Sequence, residues 1–151
     1  MRKLMKSEHL EIFKSLRDFK LLAICIWGEA RGEPIEGKIA VGNVVRNRVN
    51  ANTWYGKDYK EVILKAKQFS CFNADDPNFE KCLYWAKNPA DHDTALLECK
   101  WVAIGIIYDY LLDNTIGATH YHQVGHNPWW REGMKETVRI GNHIFYKERY
   151  R

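Results

Sequence analysis

Several features that would place this chain in a large protein class are missing from its sequence. No apolar run approaches the roughly 18 residues of a membrane-spanning helix, and the positively charged start leads into acidic and polar residues rather than the apolar segment of a secretory signal. The lysines and arginines are scattered, without the basic run or module typical of nucleic-acid readers. We therefore expect no integral membrane segment, no nucleic-acid partner, and synthesis in the cytoplasm without a signal peptide.

Cysteine is scarce and never occurs as Cys-x-x-Cys, so the sequence carries neither a zinc-ribbon nor a thioredoxin-like motif. Two of the cysteines lie in apolar helical patterns, where a reduced thiol packs as a small hydrophobic residue. We expect all four to be reduced packing residues. One alternative stays open, a disulfide between Cys71 and Cys82, which flank a loop with Asp and Pro. The four are Cys25, Cys71, Cys82 and Cys99.

What is present fits one compact domain. The 151 residues are 46% hydrophobic and 28% charged, which allows a substantial core and leaves no room for a second domain. The formal net charge of +4 favours anionic partners, such as cell-wall polymers or membrane surfaces, without choosing among them. We expect a single domain over residues 1–151 that is a monomer.

Hydrophobic periodicity predicts that most of the chain is helical. Apolar residues at spacings of three and four predict a first helix that Ser7 caps, that runs to Ile26, and that the glycines and proline of residues 28–34 end. Four more helices are predicted: one from Pro34 to about residue 50, one from the capping pair Asp58 and Glu61 to Ala66, one opening at Asp76 and Pro77, and a buried central one from Thr94 to Leu112.

Two late segments alternate aromatic or β-branched residues with polar ones, which is typical of strands. They are residues 116–123 and residues 137–146, the second around Gly141 and Asn142. The predicted fold class is therefore α+β, mainly α, with a small antiparallel β-hairpin or sheet near the C-terminus.

The most informative stretch is Trp-Gly-Glu-Ala-Arg-Gly-Glu-Pro at residues 27–34, where an apolar helix runs out. Its first carboxylate, Glu29, follows Leu22 by seven and Ile26 by three, which puts it at the end of the core-facing stripe. A half-buried carboxyl at such a place can keep its proton near neutral pH and act as a general acid. The structural alternative is an ion pair of Glu29 with Arg31 or Arg46.

Two other constellations compete for the chemistry. His120, His122 and His126 form a cluster from which a zinc site could be drawn, because imidazole is a common metal ligand, but no His-Glu-x-x-His accompanies them. Cysteine–histidine nucleophilic catalysis is also conceivable, with Cys71 and either His120 or His143. Neither explains the glycine-flanked glutamate.

Aromatic side chains in or beside predicted loops are a further signal, because flat aromatic rings stack on the apolar faces of sugars. Each alone is better explained by packing under a loop. As a set, next to Gln68 and Asn127, they suggest a saccharide groove. They are Trp54, Tyr55, Phe69, Tyr121, Trp129 and Trp130.

Five blocks together resemble the SleB-type cell wall hydrolase family. They are Gly-Glu-Ala-Arg-Gly-Glu at residues 28–33, Ala-Val-Gly-Asn-Val-Val-Arg-Asn-Arg-Val at 40–49, Gln-Phe-Ser at 68–70, Gly-Ala-Thr-His-Tyr at 117–121 with Asn-Pro-Trp-Trp at 127–130, and Ile-Gly-Asn-His-Ile-Phe at 140–145. The blocks stand in the family's order, and the resemblance covers about residues 23–146, with residues 1–22 adding an N-terminal helix.

The resemblance implies a lysozyme-like catalytic domain that cleaves peptidoglycan glycan strands, as a lytic transglycosylase with no cofactor and no metal. The family's catalytic glutamate falls on Glu29. Spore members commonly carry an export signal and wall-binding repeats, and their absence here favours a phage endolysin that reaches the bacterial wall at lysis. The positions implied to line the glycan groove are Gln68, Phe69, Ser70, His120, Tyr121, Asn127 and Trp130.

The implied chemistry is cleavage of the β-1,4 bond after N-acetylmuramic acid, for which Glu29 gives a proton to the leaving oxygen. A transglycosylase needs one carboxylate, because the muramic C6 hydroxyl attacks and returns its proton to Glu29. A hydrolytic muramidase would need a second acid roughly 5 to 9.5 Å away, from Asp75, Asp76 or Glu132. Two alternatives from other classes are a metal-dependent amidase using His120, His122 and His126, and a non-catalytic wall-binding module.

Overall fold

The computed structural model describes residues 2–89 and 92–149, which form a mainly helical domain with one small sheet. This confirms the predicted fold class. The helices are α1 (Ser7–Lys14), α2 (Asp18–Ala30), α3 (Ile35–Ala51), α4 (Tyr59–Leu64), α5 (Phe79–Lys87) and α6 (Thr94–Ile107), and the strands are β1 (His120–Gln123), β2 (Met134–Ile140) and β3 (His143–Glu148). Short 3-10 turns lie at Ser70–Phe72 and Trp129–Gly133. No helix in the described ranges has both the length and the apolar character needed to cross a bilayer.

The predicted first helix is in fact two helices, α1 and α2. The Ser15 hydroxyl donates to the Ile12 carbonyl at 2.6 Å, and Arg17 adopts an extended conformation before α2 begins. A serine side chain that bonds to the backbone competes with helix continuation, and the apolar spacing carries on across the break, so periodicity alone does not reveal it. Ser7 is also not the cap, since α1 starts after Lys6 without a side-chain cap bond.

Gly28 does not end α2, which continues to Ala30. A Cβ at Gly28 would lie 2.5 Å from the Cβ of Cys71 and 2.6 Å from its Sγ. Gly28 is therefore required for close approach: it lets the last turn of α2 contact the 3-10 turn at Ser70–Phe72.

Helix α4 follows its predicted capping signal, whereas α3 begins at Ile35 with Pro34 as its extended N-cap rather than inside its first turn. The Asp58 side chain accepts the Glu61 N–H at 2.8 Å, and Glu61 in turn accepts the Lys57 N–H at 2.9 Å, which confirms the capping pair. Helix α4 ends at Leu64, two residues before the predicted Ala66.

The most deeply buried helix is α2, and not the predicted central helix, which is α6. Every residue of α2 from Leu21 to Trp27 is buried, whereas α6 packs against it on one face and exposes Trp101 on the other. Helix α6 also ends at Ile107 rather than at the predicted Leu112. Asp109 adopts a left-handed conformation, and the N–H of Tyr110 returns to the Gly105 carbonyl at 2.8 Å, which is a Schellman C-cap.

The three strands form an antiparallel sheet, which confirms the sheet predicted from the alternating segments, and their order is β1–β3–β2. Strand β1 is shorter than predicted, because Ile116 and Gly117 adopt left-handed turn conformations before it. Strands β2 and β3 meet at the Gly141 turn. Pairing of β1 with β3 sets Tyr121 opposite Phe145, and Tyr121 packs against the helical core.

Candidate active site

Glu29 lies in the last turn of α2, half-buried, with three hydrogen-bond donors around its carboxylate. Tyr121 Oη donates to Oε1 at 2.6 Å, and Oε2 accepts from Ser70 Oγ at 3.2 Å and from the Cys71 backbone N–H at 3.3 Å. The donors come from β1 and from the 3-10 turn at Ser70–Phe72. Glu29 does not form the alternative ion pair with Arg31 or Arg46, since Arg31 bonds to Asn78 and Arg46 pairs with Asp109.

Tyr121 is the strongest of these donors by distance. Burial raises the pKa of its phenol well above the ordinary value, and the negative charge of Glu29 raises it further. The hydroxyl therefore stays protonated at physiological pH and remains a donor to Glu29. Its ring is held between His143, with centroids 4.9 Å apart, and Phe145, at 5.6 Å.

Arg48, a buried residue of α3, ties together the two segments that donate to Glu29. Its Nε donates to the Thr119 carbonyl at 2.7 Å, just before β1, and one terminal nitrogen donates to Gln68 Oε1 at 3.4 Å. The guanidinium also lies over the Phe69 ring, 5.2 Å from its centroid. Burial lowers the pKa of Arg48, and Tyr121 and Glu29 are among the groups that partly offset this, so the buried cation belongs to the electrostatics of the site.

Glu29 opens into a surface pocket of about 260 Å³ that also contains Glu33, Gln123 and His143. Glu33 accepts two hydrogen bonds from Asn142, from the backbone N–H at 2.7 Å and from Nδ2 at 3.1 Å. The Nδ1 of His143 is buried, has no hydrogen-bond partner within the described part of the chain, and lies 3.7 Å from Glu33 Oε1. Burial lowers the pKa of His143, which Glu33 offsets in part.

The residues that the sequence predicted to line the groove lie at different distances from Glu29. Ser70 and Tyr121 contact Glu29 directly, and Gln68 contacts Arg48. Phe69 is 2% exposed and packs in the hydrophobic core, so the prediction that its ring lines the groove is wrong. It supports the segment that carries Ser70 instead.

The other three predicted groove residues lie on and beyond β1. His120 and Trp130 pack together with ring centroids 5.0 Å apart, and both are half-buried. Burial, reinforced by Arg48, lowers the pKa of His120 to about 4, so its imidazole is neutral at physiological pH. Asn127 is exposed in the loop before the second 3-10 turn.

None of the three carboxylates suggested as a second acid lines the pocket of Glu29. Asp75 accepts the Lys3 N–H at 2.9 Å, Asp76 accepts the Asn78 N–H at 2.8 Å, and Glu132 is exposed in the second 3-10 turn. Among the described residues, the second carboxylate of that pocket is Glu33.

The three histidines of the amidase alternative do not converge. His122 is buried, with Nδ1 2.7 Å from the Gln123 carbonyl and Nε2 2.9 Å from Tyr146 Oη, whereas His126 is exposed. Within residues 2–89 and 92–149, no group of three histidine, cysteine or carboxylate side chains is placed to hold a metal ion.

The four cysteines are buried free thiols, which confirms the packing prediction and removes the Cys71–Cys82 disulfide. Burial raises the pKa of the Cys71 and Cys25 thiols, so neither is an activated nucleophile. The site contribution of Cys71 is its backbone N–H.

Two site features escaped sequence reasoning, the role of Arg48 and the Cys71 N–H. Arg48 follows Val41 by seven and Val44 by four, so its place on the buried face of α3 was readable from the helical period. The Cys71 N–H has no such signal, because any residue other than proline at that position would supply it.

The sequence of this chain is similar to a family of known proteins. The family model described as Cell Wall Hydrolase matches residues 32–146. The chain belongs to this cell wall hydrolase family. This confirms the SleB-type family that the five sequence blocks predicted, and Glu29 lies just before the matched range.

Two curated relatives of this cell wall hydrolase are named spore cortex-lytic enzymes. The protein from Bacillus subtilis (strain 168) is 51% identical over 135 residues, which cover 87% of this chain and 38% of the relative. The protein from Oceanobacillus iheyensis is 51% identical over 56 residues, which cover 37% of this chain and 20% of the relative. The chain thus spans well under half the length of the curated relatives it matches.

Two solved structures share the fold of this cell wall hydrolase. The catalytic domain of the germination-specific lytic transglycosylase SleB from Bacillus anthracis aligns with a TM-score of 0.67 and 25% identity, covering 86% of this chain and 93% of that one. The catalytic domain of the Bacillus cereus SleB protein aligns with a TM-score of 0.65 and 26% identity, covering 86% and 89%.

The bond from Tyr121 to Glu29 leads to a first prediction for this cell wall hydrolase. With Glu29 as the acid, we expect Tyr121→Phe to lower kcat on peptidoglycan about 10- to 100-fold, because one preorganised donor to the Glu29 carboxyl is lost while the ring packing stays. KM and the thermal unfolding midpoint should change little. Steady-state turbidity assays measure kcat and KM, and circular dichroism melting measures the unfolding midpoint. An unchanged kcat would show that the 2.6 Å bond has no part in catalysis.

Proposed function

We propose that the chain is a lytic transglycosylase that cleaves the β-1,4 bond between N-acetylmuramic acid and N-acetylglucosamine, with Glu29 as its single acid and base. The observation that carries this proposal is the half-buried carboxyl of Glu29, held by three donors at the wall of an open pocket. It is supported by membership of the cell wall hydrolase family and by the names of the related enzymes.

The hydrogen bonds suggest which oxygen carries the proton. Oε1 accepts a short bond from Tyr121, whereas Oε2 has two longer contacts. A Ser70 hydroxyl can rotate from donor to acceptor, so a proton on Oε2 keeps a partner before it is transferred. Oε2 is therefore the oxygen that we assign as the acid, and Tyr121 fixes the orientation of the carboxyl group.

In the reaction, Glu29 gives its proton to the glycosidic oxygen, and the C1–O bond breaks to release the 4-hydroxyl of N-acetylglucosamine. The C6 hydroxyl of the muramic sugar then attacks C1, forms the 1,6-anhydro ring, and gives its proton to Glu29. The enzyme is restored without consuming water.

Glu33 is the candidate for a second catalytic carboxylate, since it lines the same pocket as Glu29. A hydrolytic muramidase would require a second carboxylate free to act as nucleophile or to activate water. Both oxygens of Glu33 accept hydrogen bonds from Asn142, which suits an anchor between loop and sheet better than a nucleophile. This favours transglycosylation.

The deciding experiment is mass spectrometry of the fragments released from purified peptidoglycan in water enriched in oxygen-18. We expect 1,6-anhydro muropeptides, one water lower in mass than hydrolysed ones, without the isotope label. A hydrolytic muramidase processed in parallel gives the labelled, heavier products. Labelled reducing ends would contradict the transglycosylase proposal, and released stem peptides with intact glycans would indicate an amidase.

The endolysin role expected from the sequence is a separate proposal. Expression in a bacterial cytoplasm, with and without a phage holin that opens the membrane, tests it. Lysis that requires the holin fits an endolysin. Absence of lysis with the holin, in cells whose isolated wall the enzyme degrades, would contradict the role.

A further inference from the structure

A second cleft, separate from the pocket of Glu29, lies where α1, α4 and the loop at residues 53–58 meet. It encloses about 630 Å³ and shares no lining residue with the first pocket. Its wall carries one exposed tryptophan, Trp54, and we refer to it as the Trp54 cleft. Neither the family membership nor the mechanism above requires these residues.

Trp54 has the geometry of a stacking platform. Its side chain is 56% exposed, and it packs on the ring of Tyr55, with centroids 4.4 Å apart. Tyr55 is itself 1% exposed and donates its hydroxyl to Glu148 at 2.5 Å, so the platform is supported by the core. An indole that is fixed and left open in a concave wall presents the flat apolar surface on which a sugar ring stacks.

The charge of the cleft selects an acidic ligand. Four lysines line it, and Lys65 places its Nζ 5.7 Å from the Trp54 ring. The two carboxylates of the lining, Asp58 and Glu61, are engaged by the backbone N–H groups that begin α4. Four positive against two negative charges line the cleft, and Lys14 also pairs with Glu11 at 3.8 Å, so an excess of about one positive charge remains around the platform. The lysines are Lys14, Lys57, Lys60 and Lys65.

An unpartnered polar group lies in the same wall. The hydroxyl of Thr53 is buried and has no hydrogen-bond partner among the described residues, although Thr53 lines the cleft. A buried hydroxyl without a partner costs free energy, which rotation of the Thr53 side chain toward a ligand hydroxyl or amide would relieve.

A row of rings leads from the cleft toward β1. The Tyr55 ring lies 6.0 Å from the ring of His120, which contacts Trp130 at 5.0 Å. Trp54 and Trp130 are thus connected by two packed rings, so the distance between them is one that an extended polymer can span. This continuity favours a ligand that also reaches the sheet over an unrelated one.

We propose that the Trp54 cleft binds a second stretch of peptidoglycan, away from the bond that is cut. One sugar ring stacks on Trp54, and the carboxylates of the stem peptides pair with the cleft lysines. The choice of peptidoglycan rests on the proposed function. The cleft raises the affinity for polymeric wall and leaves the chemical step unchanged.

Binding is measured by sedimentation with intact purified sacculi, using Glu29→Gln protein so that the wall is not degraded. In this background we expect Trp54→Ala to raise Kd about five- to tenfold, which is the scale of one stacked ring. The matched control is Trp101→Ala, which removes another exposed tryptophan, on α6, and leaves Kd unchanged. Equal binding of the Trp54→Ala protein and its parent would overturn the proposal.

The charge is tested by the double variant Lys57→Gln/Lys60→Gln against Lys87→Gln/Lys135→Gln, which removes the same charge elsewhere. We expect only the first pair to weaken binding, and only on sacculi whose carboxylates are intact. Carbodiimide amidation of the wall should abolish the difference between the pairs. Sacculi stripped of phosphodiester polymers by hydrofluoric acid should bind as before. Loss of binding on the stripped wall would overturn the proposal in favour of a phosphate polymer.

Separate measurements test the transglycosylase proposal and the proposal that the Trp54 cleft binds peptidoglycan. In the otherwise wild-type enzyme, Trp54→Ala should raise KM on sacculi and leave kcat on short soluble glycan fragments unchanged. Hydrolysed products, or none, would refute the transglycosylase while the sedimentation result stands. Thermal melting of each variant confirms that the fold is intact.

Discussion

Glu29→Gln should reduce clearance of purified peptidoglycan at least about 1,000-fold, since general acid–base catalysis alone contributes roughly 10²- to 10⁴-fold and in the proposed mechanism one group does both steps. The amide has nearly the shape of the carboxyl and can still accept the Tyr121 hydroxyl bond through its oxygen. It cannot give or take the proton. Turbidity assays over a wide enzyme range, together with a melting curve, separate lost chemistry from lost folding.

Substitutions of two other glutamates are the controls for Glu29→Gln. Glu36→Gln changes an exposed residue in the first turn of α3 and should leave activity unchanged. Glu33→Gln keeps an acceptor oxygen for Asn142 and should retain activity within about tenfold, because one anchoring bond is weakened. Wild-type clearance by Glu29→Gln would refute its role. Complete loss in a folded Glu33→Gln protein would show that a second carboxylate takes part.

Gly28→Ala should be the most damaging substitution that touches no reacting group. The added methyl would stand 2.5 Å from the Cβ of Cys71, so the turn that carries Ser70 Oγ and the Cys71 N–H must move. We expect a loss of about 2–3 kcal/mol in unfolding free energy, the scale of overpacking in a tight core, and more than about tenfold lower activity. Urea unfolding and turbidity assays on the same preparation measure the two effects.

Gly32→Ala is the matched control for that prediction. Nothing lies within 4 Å of a Cβ at Gly32, so alanine there meets open space. Its stability should stay within about 0.5 kcal/mol of wild type, as for an ordinary surface change. Equal stability of the two alanine variants would contradict the close approach of α2 to the Ser70–Phe72 turn.

Local pattern was enough to single out Glu29 as the proposed acid, and not enough to describe the donors around its carboxylate. The helical period places Glu29 on the core-facing stripe of α2, and the family blocks identify Ser70 and Tyr121 as site residues. Their donation to Glu29 spans 41 and 92 positions of sequence. Such distances are fixed by packing of the whole domain, which spacing along one element does not encode.

The misassigned elements have similar causes. Glycine 28 was interpreted from its helix propensity alone, although the neighbour that explains it, Cys71, is 43 residues away. The end of α6 depends on Asp109 adopting a left-handed conformation, which aspartate does only occasionally. Phe69 was predicted to stack on a sugar because it lies beside a loop, whereas its ring packs in the core and contacts the Arg48 guanidinium.

The guanidinium of Arg48 has a consequence for how such enzymes can diversify. Because Arg48 bonds to both donor-bearing segments, the donors around Glu29 do not depend on the exposed residues 124–127, none of which lines the pocket of Glu29. That stretch is free to be exchanged or lengthened to suit other wall architectures without disturbing the Glu29 carboxyl. Loop grafting at this position is therefore the natural route to altered substrate preference in this scaffold.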